Sequence, residues 1–238
     1  MFMELKSYKK EFNYSYSLGA FPTIELLKNH SNDEIDVYIH SSFENKEIKE
    51  LILKLLKKNY IKNDKIFNKL SPKENCYVIG VFKKYPAILN KDENHLLLDN
   101  PSNMGNLGTI IRSALGFEIK NIAIIKPGVD YFDPKCIRAS MGAIFSVNIE
   151  YFSSLQEYKE KFNNHTIYAF MLQAKTSLQD FKFKKGLASL AFGNEATGLD
   201  KKYLDDNSII IKHSNKIDSL NITNAVSIAL YEFNRQNY

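Results

Sequence analysis

Arginine is nearly missing from this 238-residue chain: Arg112, Arg138 and Arg235 stand against 29 lysines. Where almost every positive charge is a lysine, the few arginines should do what lysine cannot. A guanidinium is a planar fork that grips a phosphate or carboxylate through two parallel hydrogen bonds. Cysteine is also scarce. Cys76 and Cys136 are too few for a disulfide framework, and no Cys-x-x-Cys occurs. The five histidines are scattered without His-x-x-x-His spacing, so no metal site is expected. No apolar run approaches the ~20 residues of a membrane span. The opening MFMELKSYKKEFNYSYS lacks the continuous apolar stretch of a signal peptide, so a cytoplasmic location is expected. Three motifs are absent as well. Without G-x-G-x-x-G or G-x-x-x-x-G-K-[ST] a dinucleotide fold and a P-loop NTPase are excluded. Without G-x-S-x-G a hydrolase elbow is not expected.

What is present is ordinary for a soluble globular protein, with 44% hydrophobic and 25% charged residues. The length suits one large or two small domains. The net charge is +5, of which residues 1–90 carry +4. A basic excess on the smaller part suits a polyanionic partner. A lysine-solvated surface explains the same balance, and Lys54, Lys57 and Lys58 read as one wet helix face.

Hydrophobic periodicity orders the chain. Residues 22–30 read as a helix, 36–40 as a strand, 45–58 as an amphipathic helix and 76–82 as a strand. The proline and charges of 83–94 mark a linker. Beyond it strands are expected at 95–99, 122–126, 147–149, 166–172, 187–192 and 208–212. Helices are expected at 106–116, 134–145, 154–163 and 222–236. Nearly all-apolar strands alternating with helices predict an α/β fold with a mostly parallel sheet covered on both faces. Ligands of such sheets bind outside the carboxyl ends of the strands.

Three segments carry chemistry. SNMGNLGTIIRSALGF (102–117) follows a strand, and Gly105 and Gly108 flank Asn106 where a helix begins. Glycines at a helix entry let backbone N–H groups approach an anion. Arg112 lies off the apolar stripe of that helix. Asn106 as a plain N-cap and Arg112 as a surface charge are the bland alternative. FGNEATGL (192–199) follows a buried strand and brackets Glu195 with two glycines. Glu195 could pair with Arg112 or simply sit in a tight turn. DSLNITNAVSIALYEFNRQ (218–236) is a helical stripe preceded by Ser219, Asn221 and Thr223. One of these caps the helix, and the others are free to address a ligand.

In order and spacing, NLGTIIRSALGF, FGNEATGL and SLNITNAVSIALYE resemble the three signature motifs of the SpoU (TrmH-like) RNA ribose methyltransferases of the SPOUT superfamily. DPKCIRASMGAIF (133–145) resembles a further family stretch. The resemblance covers roughly 94–238, while residues 1–88 more loosely resemble an L30e-like RNA-binding domain. It implies two domains, 1–88 for RNA binding and 94–238 for methyl transfer, the second tied in a C-terminal trefoil knot. It implies a homodimer, S-adenosylmethionine as methyl donor, and a ribose 2′-hydroxyl of RNA as acceptor, with rRNA favoured over tRNA. The donor contacts it implies are Gly193, Asn194, Gly198, Ile211, Leu220 and Thr223. The catalytic set is Arg112, Asn106, Glu195, Ser219 and Asn221. The resemblance points to the arginine, sometimes cast as the base. Because a guanidinium does not readily give up its proton, we expect Arg112 instead to grip the phosphate beside the target ribose, Glu195 to hold the guanidinium, and Asn106, Ser219 and Asn221 to orient substrate or donor. Lys212 and His213 depart from the family's usual Pro and Met, and Thr223 from its usual Ser. A non-catalytic RNA-binding protein that keeps the fold is the alternative, and a methyltransferase acting on a base rather than a ribose is a third reading.

Overall fold

The computed structural model describes residues 5–31, 34–71, 75–205 and 207–237. The chain forms two compact units. One takes the residues up to Tyr85 together with Asp130–Ser146, and the other takes Pro86–Val129 and the chain from Val147 onward.

The first unit is a four-stranded mixed sheet in the order β1-β4-β2-β3. Its strands are β1 (Tyr14–Leu18), β2 (Asp36–Ile39), β3 (Ile61–Lys62) and β4 (Val78–Lys83). Helices α1 (Ala20–Asn29), α2 (Lys46–Leu56) and α3 (Asp64–Leu70) connect them. The β1–β4 and β2–β4 pairs are antiparallel. Strand β1, YSYSL, has no apolar run, yet its centre is buried. Ser15 Oγ donates to the Phe132 carbonyl at 2.5 Å, and Ser17 Oγ lies 2.9 Å from Thr23 Oγ1. These bonds let small hydroxyls face inward on one side, while Tyr16 joins Phe67 and Ile79 in the core on the other. Gly80, the partner of Ser17 across the sheet, has no room for a side chain beside that hydroxyl.

Residues 130–146 fall inside the 94–238 range expected for the second domain, yet they pack in this unit. Their helix α5 (Pro134–Ala139) lies against β1. Asp133 caps it by accepting from Lys135 N at 2.8 Å, and Lys84 pairs with Asp130 at 3.4 Å. The helix expected over 134–145 breaks at Ser140. Met141 and Gly142 take positive φ values, and a single 3-10 turn follows over Ala143–Ser146.

The second unit is a five-stranded, wholly parallel sheet in the order β7-β6-β5-β10-β8. Its strands are β5 (His95–Asp99), β6 (Asn121–Ile125), β7 (Asn148–Phe152), β8 (Thr166–Ala169) and β10 (Ala188–Phe192). Leu96, Leu97 and Leu98 of the central strand are fully buried, as a strand covered on both faces requires. A separate parallel pair joins β9 (Thr176–Ser177) to β11 (Ile209–Ile210). Among the described residues, the α-helices of this unit are α4 (Met104–Gly116), α6 (Leu155–Lys161) and α7 (Ile222–Asn237). Helix α4 buries Leu107, Ile110, Ile111 and Ala114. Helix α7 buries Val226, Ala229, Leu230 and Phe233, and it packs against α4 and β10. From β5 the chain moves outward through β6 and β7, then crosses to β8 on the other edge and returns through β10. The order therefore reverses between β5 and β10, where an open parallel sheet offers a crevice to a ligand.

Candidate functional site

Phe192 pairs with Leu98, so β5 and β10 end side by side at this reversal and their following loops share one edge of the sheet. The FGNEATGL loop closes on itself there. Gly198 N donates to the Asn194 carbonyl at 2.9 Å, and Asn194 Oδ1 accepts from Ala196 N at 2.9 Å and Thr197 N at 3.3 Å. Asn194 Nδ2 donates to the Asn100 carbonyl at 2.8 Å, tying this loop to the one after β5. Both glycines are required. A Cβ on Gly193 would collide with the backbone of Gly198 and Leu199, and Gly198 sits at φ +67°.

Glu195 faces the start of α4. Its carboxylate accepts from Ser102 N at 3.0 Å, Ser102 Oγ at 2.6 Å, Asn103 N at 3.2 Å and Asn106 Nδ2 at 3.3 Å. Partial burial raises the pKa of this carboxyl. The hydrogen bonds from Ser102 and Asn106 outweigh that effect and hold it below its ordinary value. The expected pairing with Arg112 is not what the carboxylate does. Arg112 lies on the exposed face of α4, and no ion pair joins it to Glu195 among the described residues. Asn106 is likewise not the cap of α4. Asn103 is, accepting from Asn106 N at 3.0 Å. The helix begins at Met104, two residues before its expected start, which places Asn106 in its first turn, turned toward Glu195.

The loop before α7 completes the site. Asn221 Oδ1 accepts from Thr223 N at 2.9 Å and Thr223 Oγ1 at 2.7 Å, so Asn221 caps α7 and Thr223 is its partner. Ser219 makes no hydrogen bond among the described residues and is free for a ligand.

These loops enclose a cleft of about 210 Å³. Of the residues expected in the site, Gly193, Asn194, Glu195, Gly198, Ile211, Ser219 and Leu220 stand in its wall. Asn106 reaches it through Glu195. Asn221 and Thr223 stand beside it at the α7 cap, and Arg112 stands outside the wall. No sequence motif marks Ser102 and Asn103, which hold Glu195, or the loop after β8. That loop supplies Phe170, stacked on Phe192 at 4.6 Å, and Gln173. Two short polar residues just before a helix were the available signal for the first pair. His213 also lines the cleft, with Nδ1 2.9 Å from the Ile211 carbonyl. Stacked aromatic rings, aliphatic side chains and exposed loop backbone make a wall suited to a nucleoside. Among the described residues no group of His, Cys, Asp or Glu could hold a metal ion. No helix there is long and apolar enough to cross a membrane.

The model of the SpoU rRNA methylase family matches residues 93–231. An uncharacterized tRNA/rRNA methyltransferase of Synechocystis is 31% identical over 147 residues, covering 60% of this chain and 53% of that protein. The 23S rRNA (uridine(2479)-2′-O)-methyltransferase of Streptomyces viridochromogenes is 29% identical over 150 residues, covering 59% and 52%. The chain thus spans about half the length of these curated relatives. The solved SpoU methyltransferase AviRb of Streptomyces viridochromogenes, in complex with the cofactor AdoMet, superposes with a TM-score of 0.81 at 22% identity. That match covers 94% of this chain and 90% of the other. The chain belongs to the SpoU rRNA methylase family.

Proposed function

We propose that this protein transfers a methyl group from S-adenosylmethionine to a ribose 2′-hydroxyl of RNA, with rRNA favoured over tRNA. The observation that carries the reading is the cleft at the β5/β10 reversal, built from the loops at 192–199 and 211–220. Its wall fits the donor. Phe170, Phe192 and Leu199 offer apolar surface for a nucleoside. The loop backbone at Gly193 and Ile211, with Ser219 and Leu220, offers hydrogen bonds and close approach.

The bound donor supplies a methyl group made electrophilic by its sulfonium. The chain must do the rest. A ribose hydroxyl is a poor nucleophile: it develops negative charge as its oxygen takes the methyl group, and it gives up its proton to water. A guanidinium is a poor base, so the role of Arg112 is to grip the phosphate beside the target ribose, its charge stabilising the developing alkoxide. Glu195 acts on Arg112 indirectly. Its four hydrogen bonds fix the first turn of α4, and the helix carries the guanidinium. Positioning of the two reactants supplies much of the rate.

The reading extends to the rest of the chain. The basic first unit serves as an L30e-like RNA-binding domain, and the 94–238 segment carries the trefoil knot. The protein works in the cytoplasm as a homodimer. Exposed Ile228 and Tyr231 on α7, with Phe117 against Tyr231, support the dimer as an apolar face that a second copy would cover. Calorimetric titration with S-adenosylmethionine tests the reading without knowledge of the RNA. Saturable binding near one site per chain is expected. No heat from folded protein at several temperatures contradicts it, and favours a non-catalytic RNA-binding protein.

A further inference from the structure

His213 is an ionisable side chain in the cleft wall whose role the proposed reaction leaves open. Its Nδ1 lies 2.9 Å from the Ile211 carbonyl oxygen. A carbonyl only accepts, so Nδ1 carries the proton, and in the neutral ring Nε2 keeps a bare lone pair. Of the side chains in the wall, Glu195 and His213 are the two that ionise among the described residues. Glu195 has four donors of its own from Ser102, Asn103 and Asn106. His213 has one contact, and it leaves the second ring nitrogen open.

We propose that His213 discriminates between the methyl donor and its spent product, an inference that rests on the cleft being the donor site. S-adenosylmethionine and S-adenosylhomocysteine differ by one methyl group and one positive charge. A neutral imidazole tolerates the sulfonium. An imidazolium in the same wall repels it and leaves the uncharged thioether alone. Acidification therefore shifts the cleft's preference from donor toward product.

The neighbouring charges do not imitate this effect. On the same loop stand Lys212, Lys216 and Asp218, and the Lys212 ammonium lies 3.9 Å from Asp180. Across the cleft the 192–199 loop contributes Glu195, whose hydrogen bonds keep it ionised through mild acid. The wall residues after β8 and at the start of α7 carry no charge. Imidazole is the side chain whose charge ordinarily changes between pH 5 and 8.

The test uses the full chain and two probes, S-adenosylmethionine and S-adenosylhomocysteine. Each is titrated calorimetrically at about pH 7.2 and pH 5.5, within the ordinary imidazole range. Two like charges across a partly solvated cleft should move the ratio of the two Kd values about fivefold toward the product at the lower pH. In His213→Gln the ratio should stay flat, and His213→Met should match it, which covers the case that one variant folds poorly. Any titration of the ligands themselves is common to all the proteins and cancels. If both ligands bind but the wild-type ratio does not move, or moves equally in the variants, the inference is overturned and the donor site stands. If neither ligand binds the folded wild type, the donor reading fails, and the inference with it.

Discussion

Glu195 shows how far a residue's chemistry can be inferred before its partners are known. A carboxylate between two glycines after a buried strand was legible as a residue at the carboxyl edge of the sheet, where it lines the cleft. Its partner was not, because Ser102 and Asn103 lie 93 and 92 positions away and only strand register brings them near. Substituting Glu195→Gln keeps the size but loses charge-assisted bonds, which are worth roughly 1.5–3 kcal/mol when fully formed. Glu195 is partly exposed, so solvent screening brings the expected loss to about 1 kcal/mol in urea denaturation. The sign follows from its lowered pKa. Its contribution is present above the ordinary carboxyl pKa and is lost as pH falls through the folded value. Gly193→Ala should be worse. The added methyl meets loop backbone rather than a movable side chain, and overpacking of this kind costs about 1–3 kcal/mol. Calorimetry should show donor binding weakened at least about tenfold, the binding equivalent of ~1.4 kcal/mol. Unchanged affinity would contradict the loop geometry.

At the amino end of β5 a polar network was not foreseen, since scattered histidines give no spacing signal. His95 Nε2–H donates to the Asn90 carbonyl at 2.8 Å, and Tyr158 Oη lies 2.8 Å from His95 Nδ1. Burial pushes the His95 imidazole down to about 4, and burial also lowers His165. A folded pKa below the ordinary 6.5 means the unfolded chain binds more protons between the two values. His95 therefore gives stability that is fully present above pH ~6.5 and drains away as pH falls toward 4, by roughly 3 kcal/mol. Urea midpoints measured across that range should fall steeply in the wild type and more gently in His95→Asn. Parallel curves would contradict the assignment.

Among the elements, the long, strongly patterned ones were the most legible. The 222–236 helix appears as Ile222–Asn237, and the 95–99 strand as His95–Asp99. Strand β1 and helix α3 were not foreseen. The first hides its pattern because its serines are buried by hydrogen bonds, and the second is a seven-residue helix after a two-residue strand. Capping choices followed the same logic. Ser219, Asn221 and Thr223 were equal candidates from sequence, and the structure gives the task to Asn221. Asn221→Ala should lower stability by about 1 kcal/mol, while Ser219→Ala should leave stability within about 0.5 kcal/mol. Equal losses in thermal or urea denaturation would contradict this division between cap and free hydroxyl.

For the whole molecule, the parallel sheet was legible because alternating strands and helices leave few topologies. The association of residues 130–146 with the first unit was not, because sequence order places them between two strands of the second. The central claim is that the β5/β10 cleft serves methyl transfer to ribose. Its most direct test is to incubate the protein with S-adenosylmethionine labelled in the methyl group and ribosomal RNA, then digest the RNA to nucleosides. The account predicts label in a single 2′-O-methylnucleoside, and its strong reduction in Arg112→Lys, which keeps the charge but loses the fork. Label on a base, or transfer undiminished in Arg112→Lys, would contradict it.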